Sequence, residues 1–473
     1  MYHFISSLIE NISNFMYSYL LIILLLAVGI YFSIRTRFVQ FRLLPDAIRL
    51  VTEKKEDSRS VSAFQALMVS TASRVGTGNI VGVANAIAIG GYGAVFWMWI
   101  IALIGGASAF IESTLAQIYK KRDENGGCYG GPAYYIEAAL HKRWLGIIFA
   151  VALIITYAVG FNMLCSYNLV TSLSSYSFYG DPKTSVVPVI CGFILAILVA
   201  FCILGGGKSI VKITSVLVPV MGISYIVMSL IVMLLNIEML PTIFKNIFTS
   251  AFDFKAIFGG FAGSALMQGI KRGLYSNEAG VGSAPNAAAA ADVSHPAKQG
   301  LVQMLSVFID TLLVCTATAM MCLSSGITPS EELTGASFVQ TALSTNFGNF
   351  GYYFITIALL LFAFTTLLGN LFYCEGCLNY IANRTVSKKT MIIFHLLACI
   401  IIFAGALLDF GMVWNLSDVL MGIMALINLP VIVILGKTAI ATMNDYLKQR
   451  KEGKNPVFKA TSIGLKEKTD FWN

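Results

Sequence analysis

The chain is 473 residues long, 57% hydrophobic and only 12% charged, with a formal net charge of +8. Soluble domains carry about 25% charged residues, so this composition excludes a soluble globular protein. The apolar runs are about 20 residues or more and do not alternate, which excludes a transmembrane β-barrel and leaves an all-α polytopic membrane protein.

In chain order, about 11 spans are expected, near 15–35, 63–90, 92–118, 143–171, 185–205, 209–236, 256–280, 297–325, 351–380, 389–408 and 411–436. No Lys or Arg precedes Ile34, so the first run reads as an uncleaved span rather than a signal peptide. Residues 36–62 place Phe38, Phe41, Leu43, Leu44 and Ile48 among arginines, the pattern of an amphipathic helix on the inner membrane surface. Residues 237–255, around Pro241, Ile243, Phe244 and Ile247, read as its outer-side equivalent, packed as a lid.

The second span is the anomaly. It carries Gly76, Thr77, Gly78, Asn79 and Gly82 where a stable helix would carry Leu or Ala, and each interior Gly costs about 1 kcal/mol relative to Ala. Backbone freed at membrane depth is tolerated only against protein or a polar cavity, and such a break is a ready site for a small charged solute or an ion. Five spans later, 256–280 contains Gly259, Gly260 and Gly263. Five is odd, so the two sets insert in opposite senses. The chain therefore reads as a 5+5 inverted repeat, 63–236 and 256–436, with an additional N-terminal span at 15–35 and two discontinuous helices. Small-residue helix packing is the alternative reading of the Gly259 group. One transmembrane domain is expected over 1–440, followed by a polar, lysine-bearing, mobile tail over 441–473.

The positive charge has a topological explanation. With the N-terminus outside, the 35–59 loop, Lys120 to Arg122, Lys142, Arg143, Lys208, Lys212, Lys271, Arg272, Lys298, Arg384 to Lys389 and the basic tail all fall inside, and only Lys183, Lys245 and Lys255 fall outside. This positive-inside bias gives a multi-pass plasma (inner) membrane protein, N-terminus outside and C-terminus cytoplasmic, whose partner is the lipid bilayer and not nucleic acid.

Several motifs fail on inspection. Cys374 and Cys377 form a single CxxC with no second pair, so they read as small packing residues. Lys208-Ser209 imitates a P-loop, but Cys202 occupies the required glycine, and Gly76 and Gly78 miss the dinucleotide fingerprint. His3, His141, His295 and His395 are dispersed, with no convincing nucleophile–base pair or metal cluster. Neither catalysis nor a cofactor is expected; a secondary transporter is.

The chemistry such a transporter needs has candidates. A solute carboxylate is served by backbone N–H groups at the half-helix beginning at Gly78-Asn79. A cation is served by the unwound carbonyls from Ala72 to Gly76 and by the hydroxyls of Thr365 and Thr366 in the ninth span, although such a pair also bonds back to its own helix. Asp310, deep in the eighth span, either binds a cation or proton or pairs with Arg74. Glu112 and Glu375 lie nearer the inner ends, where helix-end hydrogen bonding accounts for them.

The segments SRVGTGNIVGVA, GGYGAVFWMWIIALIGG and KRGLYSNEAGVGSAPNAAAAA closely resemble the alanine or glycine:cation symporters, also called sodium:alanine symporters. GGPAYYIEAAL, FIDTLLVCTATA and the Thr-Thr segment agree, so the likeness runs from about residue 15 to 440. The resemblance implies a LeuT-like fold with one extra N-terminal span and symport of a small neutral amino acid with sodium by alternating access. It implies a sodium site made by the carbonyls of Ala72, Val75 and Phe362 with the hydroxyls of Thr365 and Thr366. The substrate would lie against Thr77, Gly78 and Asn79, facing Phe261, Gly263 and Ser264 of the seventh span. The family pattern carries Gln in the fourth span where this chain has Cys165, and Trp in the ninth where it has Asn370. Both positions are implied to line the substrate pocket. The exchange leaves more room and adds an amide, which admits serine, threonine or glutamine beside alanine and glycine, unless neighbouring residues compensate. Proton coupling through Asp310, or a channel or sensor on the same scaffold, are the alternatives.

Overall fold

The computed structural model describes residues 2–53, 61–122, 127–181, 184–253, 264–327, 333–408 and 410–473. Eight of its helices are long and apolar enough to cross a membrane: α1 (Ser6–Arg35), α5 (Gly93–Ile118), α7 (Arg143–Ser175), α9 (Gly206–Leu235), α13 (Pro296–Leu323), α15 (Asn349–Ala382), α16 (Lys388–Gly405) and α17 (Gly411–Lys451). Shorter apolar helices are α4 (Gly78–Gly90) and α8 (Val187–Ile203). Between them lie α2 (Leu44–Val51), α3 (Ala63–Arg74), α6 (Pro132–Leu140), α10 (Leu240–Ala251), α11 (Ala265–Asn277), α12 (Pro285–Ala290) and α14 (Gly335–Phe347).

The second span is broken, and local chemistry shows how. Ser62 opens α3 with a reciprocal cap: its hydroxyl accepts from the Gln65 N–H at 3.1 Å, and the Gln65 side chain accepts from the Ser62 N–H at 3.0 Å. The helix ends at Arg74, and Val75 (φ −75°, ψ 80°) turns its carbonyl out of helical register. The freed Gly76 N–H donates to Asn79 Oδ1 at 2.9 Å, so the break is closed by a side chain three residues on. The chain resumes in α4, whose first turn, Gly78–Gly82, is π-helical. Two more π-helical stretches, Ile155–Phe161 in α7 and Phe308–Cys315 in α13, flank the same region. Such wide turns recur at functional sites.

The seventh span is described from Ser264 onward, so the break expected around Gly259 to Gly263 lies outside the described residues. Ser264 caps α11, its hydroxyl accepting from Met267 N–H at 3.2 Å, and α11 runs unbroken to Asn277. Glu278 then adopts a left-handed conformation (φ 53°), as do Gly280 (φ 83°) and Gly282 (φ 92°), before Pro285 opens the buried α12. A discontinuity thus lies at 278–284, at the end of the seventh span. Phe261 and Gly263 lie outside the described residues.

Two surface elements follow the amphipathic patterns. In 36–62, α2 buries Ala47 and Leu50. In 237–255, α10 turns Ile243, Ile247 and Ala251 inward, and Trp97 Nε1 of α5 donates to Ala251 O at 3.0 Å. Between the eighth and ninth spans lies α14, tied to the end of α7 by Gln340 Nε2 on Ser172 O (2.9 Å).

The tail corrects the sequence reading. It is not loose: Phe458 and Trp472 are buried, and Trp472 Nε1 donates to Gln117 O at 2.8 Å at the end of α5. Two aromatic residues in an otherwise polar run supply the apolar surface that anchors it.

Candidate substrate and sodium site

The two breaks meet. A Cβ placed on Gly78 would run into the Tyr275 ring, so only glycine lets α4 lie this close to α11. One residue on, Asn79 Nδ2 donates to Ser276 Oγ at 2.9 Å and to Asp310 Oδ1 at 2.7 Å. Asp310 Oδ2 accepts from the Ser276 hydroxyl and, at 2.9 Å, from Thr311. Asn79 therefore joins the first break to the end of α11 and to α13.

Of the residues expected to hold sodium, Thr366 reaches Ala72 on α3. Thr366 Oγ1 of α15 donates to the Ala72 carbonyl at 2.9 Å, and a Cβ on Gly76 would fall 2.5 Å from the same hydroxyl oxygen. Thr365 Oγ1 bonds back to Leu361 O (2.9 Å) and Phe362 O (3.2 Å) and reaches Met221 Sδ of α9 at 3.4 Å. Ala72, Val75, Phe362, Thr365 and Thr366 are all buried. The two threonines thus differ: one crosses to the break, while the other serves its own helix.

Of the residues expected around the substrate, Thr77 Oγ1 accepts from Asn168 Nδ2 at 2.9 Å and lies 3.9 Å from Cys165 Sγ. Asn370 is engaged at both ends. Its Oδ1 accepts from Ser73 Oγ at 2.7 Å, and its Nδ2 donates to Asn162 Oδ1 at 3.0 Å. Asn370 therefore ties α3 to the middle of α7 and does not point a free amide at a solute. Ser264 does not join this group. The α11 end that it caps packs at the far end of α4, where a Cβ on Gly90 would lie 3.3 Å from Ala265 Cα. Ten helical residues, about 15 Å, separate Ala265 from Tyr275 at Gly78.

Sequence reasoning left Asp310 with two readings, and the structure decides against the ion pair. Arg74 Nη1 donates to Ser306 Oγ (3.0 Å) and Gln303 O (3.4 Å), and no Arg74–Asp310 salt bridge forms. Asp310 is held by an amide and two hydroxyls.

Residues not anticipated complete the site. Tyr275 covers Gly78 and packs against Phe161 of α7 (ring centroids 4.8 Å) and Trp414 of α17 (5.2 Å). One turn before Tyr275, Arg272 makes a two-pronged contact with Asp418 of α17 (3.3 and 2.9 Å) and lies over the Trp414 ring at 4.4 Å. Lys271 shares that carboxylate at 2.9 Å. The signal was present in LYSNEAGVGSAPN, whose Asn, two glycines and proline are a helix stop followed by a helix start.

A sequence profile of the sodium:alanine symporter family matches residues 2–460. The chain belongs to that family. Among relatives of this symporter is the amino-acid carrier protein AlsT of Bacillus subtilis, 44% identical over 99% of this chain and 98% of that protein. Another is the probable sodium/glutamine symporter GlnT of the same organism, 43% identical over 94% of this chain and 91% of its own length. The crystal structure of MhsT in complex with L-phenylalanine superposes with a TM-score of 0.54 at 16% identity, covering 89% of this chain and 94% of that one, which shows the LeuT-type fold. The symporter is thus a multi-pass membrane protein of that fold, and its activity is sodium-coupled amino-acid symport.

Proposed function

We propose that this symporter carries a small neutral amino acid inward with sodium, and that the junction of the two breaks is where both bind. The observation that carries this reading is the convergence at one level of the molecule of the Gly78–Tyr275 contact, the Thr366–Ala72 hydrogen bond and the Asn79–Asp310 bond. The α-carboxylate of the solute lies against the N–H groups that open α4 at Thr77, Gly78 and Asn79, where a helix N-terminus favours negative charge. Tyr275, Phe161 and Trp414 exclude water from the occupied site. Sodium takes the carbonyls of Ala72, Val75 and Phe362 and the hydroxyls of Thr365 and Thr366, oxygen ligands of the kind a hard cation requires.

Asp310 takes the second cation. Three neutral donors serve an ionised carboxylate, and since Arg74 acts on it only from beyond salt-bridge distance, a bound cation would balance its charge. Because Asn79 holds both Asp310 and Gly76 N–H, a cation there also sets the geometry of the first break, which is how ion and solute are coupled without covalent chemistry.

The side-chain pocket is bounded by Cys165 beside Thr77 and, through Asn162, by Asn370. A roomier wall accommodates alanine, serine, threonine or glutamine, and the relative named as a sodium/glutamine symporter supports the larger end of that range. The N-terminus lies outside and the C-terminus in the cytoplasm, as the distribution of Lys and Arg supports.

The test is uptake into proteoliposomes of radiolabelled alanine in competition with all amino acids, under an imposed sodium gradient. Accumulation is expected only with inward sodium and is expected to be displaced by small neutral amino acids. Uptake indifferent to the sodium gradient would sink the coupling, and conduction of single-channel currents would make the protein a channel.

A further inference from the structure

The buried half-helix α12 hangs between the second break and Ala291, and its carbonyl end is gripped by two residues from the end of α5. Gln117 Nε2 donates to Ala288 O (2.5 Å) and Ala291 O (2.9 Å), and Lys120 Nζ donates to Ala291 O at 2.9 Å. The same two residues hold the tail. The Gln117 carbonyl accepts the Trp472 indole N–H, and the Lys120 ammonium lies over the rings of Phe471 (4.7 Å) and Trp472 (5.2 Å). Burial lowers the Lys120 pKa from the usual lysine value, so the charged ammonium depends on the carbonyl and ring faces around it.

The rest of the segment is fastened on either side. Asp470 pairs with Lys121 at 3.0 Å, and Arg122 lies 4.4 Å over Phe471. Phe458 N–H donates to Ser294 O at 2.9 Å, and its ring packs 5.6 Å from that of Trp472. Asn455 accepts from Lys298 at 2.7 Å. The tail therefore bridges the end of α5 and the start of α13, the two helices between which α12 must pass if the second break changes shape.

We propose that residues 455–472 are a clasp on the second break: Phe471 and Trp472, acting through Lys120 and Gln117, hold α12 in place, and their release accompanies opening of the transport pathway on that side. The proposal rests on the second break being a moving part of the pathway.

The test is hydrogen–deuterium exchange of the full chain in lipid nanodiscs, comparing wild type with Trp472→Ala, Phe471→Ala and Trp472→Phe, the last of which keeps a ring over Lys120 but lacks the indole donor. Loss of a hydrogen bond and a ring–cation contact is expected to speed amide exchange across 278–292 by about tenfold in Trp472→Ala. Trp472→Phe should fall between it and wild type, with 349–382 unchanged. The proposal is overturned if 278–292 exchanges as in wild type while 455–472 has become free. It is equally overturned if 349–382 speeds up in parallel, since the tail would then be a general stabiliser. Exchange does not depend on turnover, so a failure of sodium-driven uptake alone would count against the transport reading and leave the clasp standing.

Discussion

Thr366 offers the sharpest test of the sodium site, because its hydroxyl is the only polar atom on a side chain that valine otherwise reproduces. In Thr366→Val the methyl groups keep the packing against Gly76, but the hydrogen bond to the Ala72 carbonyl disappears. That carbonyl is buried, and leaving it unsatisfied costs about 1–3 kcal/mol. In the proposed site the cation would lose one oxygen ligand as well. A loss of about 2 kcal/mol corresponds to a roughly 30-fold higher half-saturating sodium concentration. The assay is initial uptake against external sodium in proteoliposomes, with the variant's monodispersity checked in detergent. Thr365→Val, whose hydroxyl bonds to Leu361 within its own helix, is the internal comparison and should shift sodium dependence less. Thr366→Ser, which keeps the hydroxyl, should stay within a few-fold of wild type. A wild-type sodium curve for a well-folded Thr366→Val protein would remove Thr366 from the site and with it the placement of sodium at Ala72.

Other consequences are open to measurement. Gly78→Ala drives a methyl group into the Tyr275 ring, so substrate affinity measured by competition should fall at least tenfold while Gly222→Ala, at an open position, has no effect. Asp418→Asn removes the charge shared by Arg272 and Lys271 in a buried setting. Breaking such a cluster costs about 3–5 kcal/mol and should lower the thermal unfolding midpoint of the detergent-solubilised protein; an unchanged midpoint would show that the cluster adds nothing. His295, just ahead of α13, has its pKa pushed down to about 4 by burial. Between an unfolded value of about 6.5 and that folded value the unfolded chain binds more protons, so stability falls as pH is lowered through that window. His295→Asn retains a capping acceptor for Ala297 N–H and should flatten the dependence of the unfolding midpoint between pH 6.5 and 4.

Much of the architecture was legible because a bilayer enforces long apolar helices, and because the departures from that rule in VGTGN were too costly to be incidental. The first break was accessible from residue types alone, and the meeting of Ala72 and Thr366 was implied by the family resemblance. The turn after α11 was missed because glycine density was taken as the marker. The turn is made by Glu278, Gly280 and Gly282, and the glutamate's left-handed backbone is invisible to composition. The Asp310 partners were equally hard to see: an opposite charge at Arg74 drew attention, whereas three neutral donors from three helices meet only in the fold. Tyr275, Phe161 and Trp414 looked like ordinary membrane aromatics. The tail was read from its lysines, although Phe458, Phe471 and Trp472 decide where it goes.

The π-helical stretches at 78–82, 155–161 and 308–315 have a consequence for sequence length. Each wide turn holds one residue more than an α-helical turn would, and Asn79, Phe161 and Asp310 all lie within them. Deleting one residue from such a stretch would let the helix rewind as a regular α-helix with the turns on either side still in register, while the residues of the wide turn itself lost their present directions. The apolar character of the span would survive, but Asn79, Phe161 or Asp310 would leave its present partners. In such turns the number of residues sets where a side chain points, so a one-residue alignment gap within them marks a changed contact rather than a tolerated loop difference.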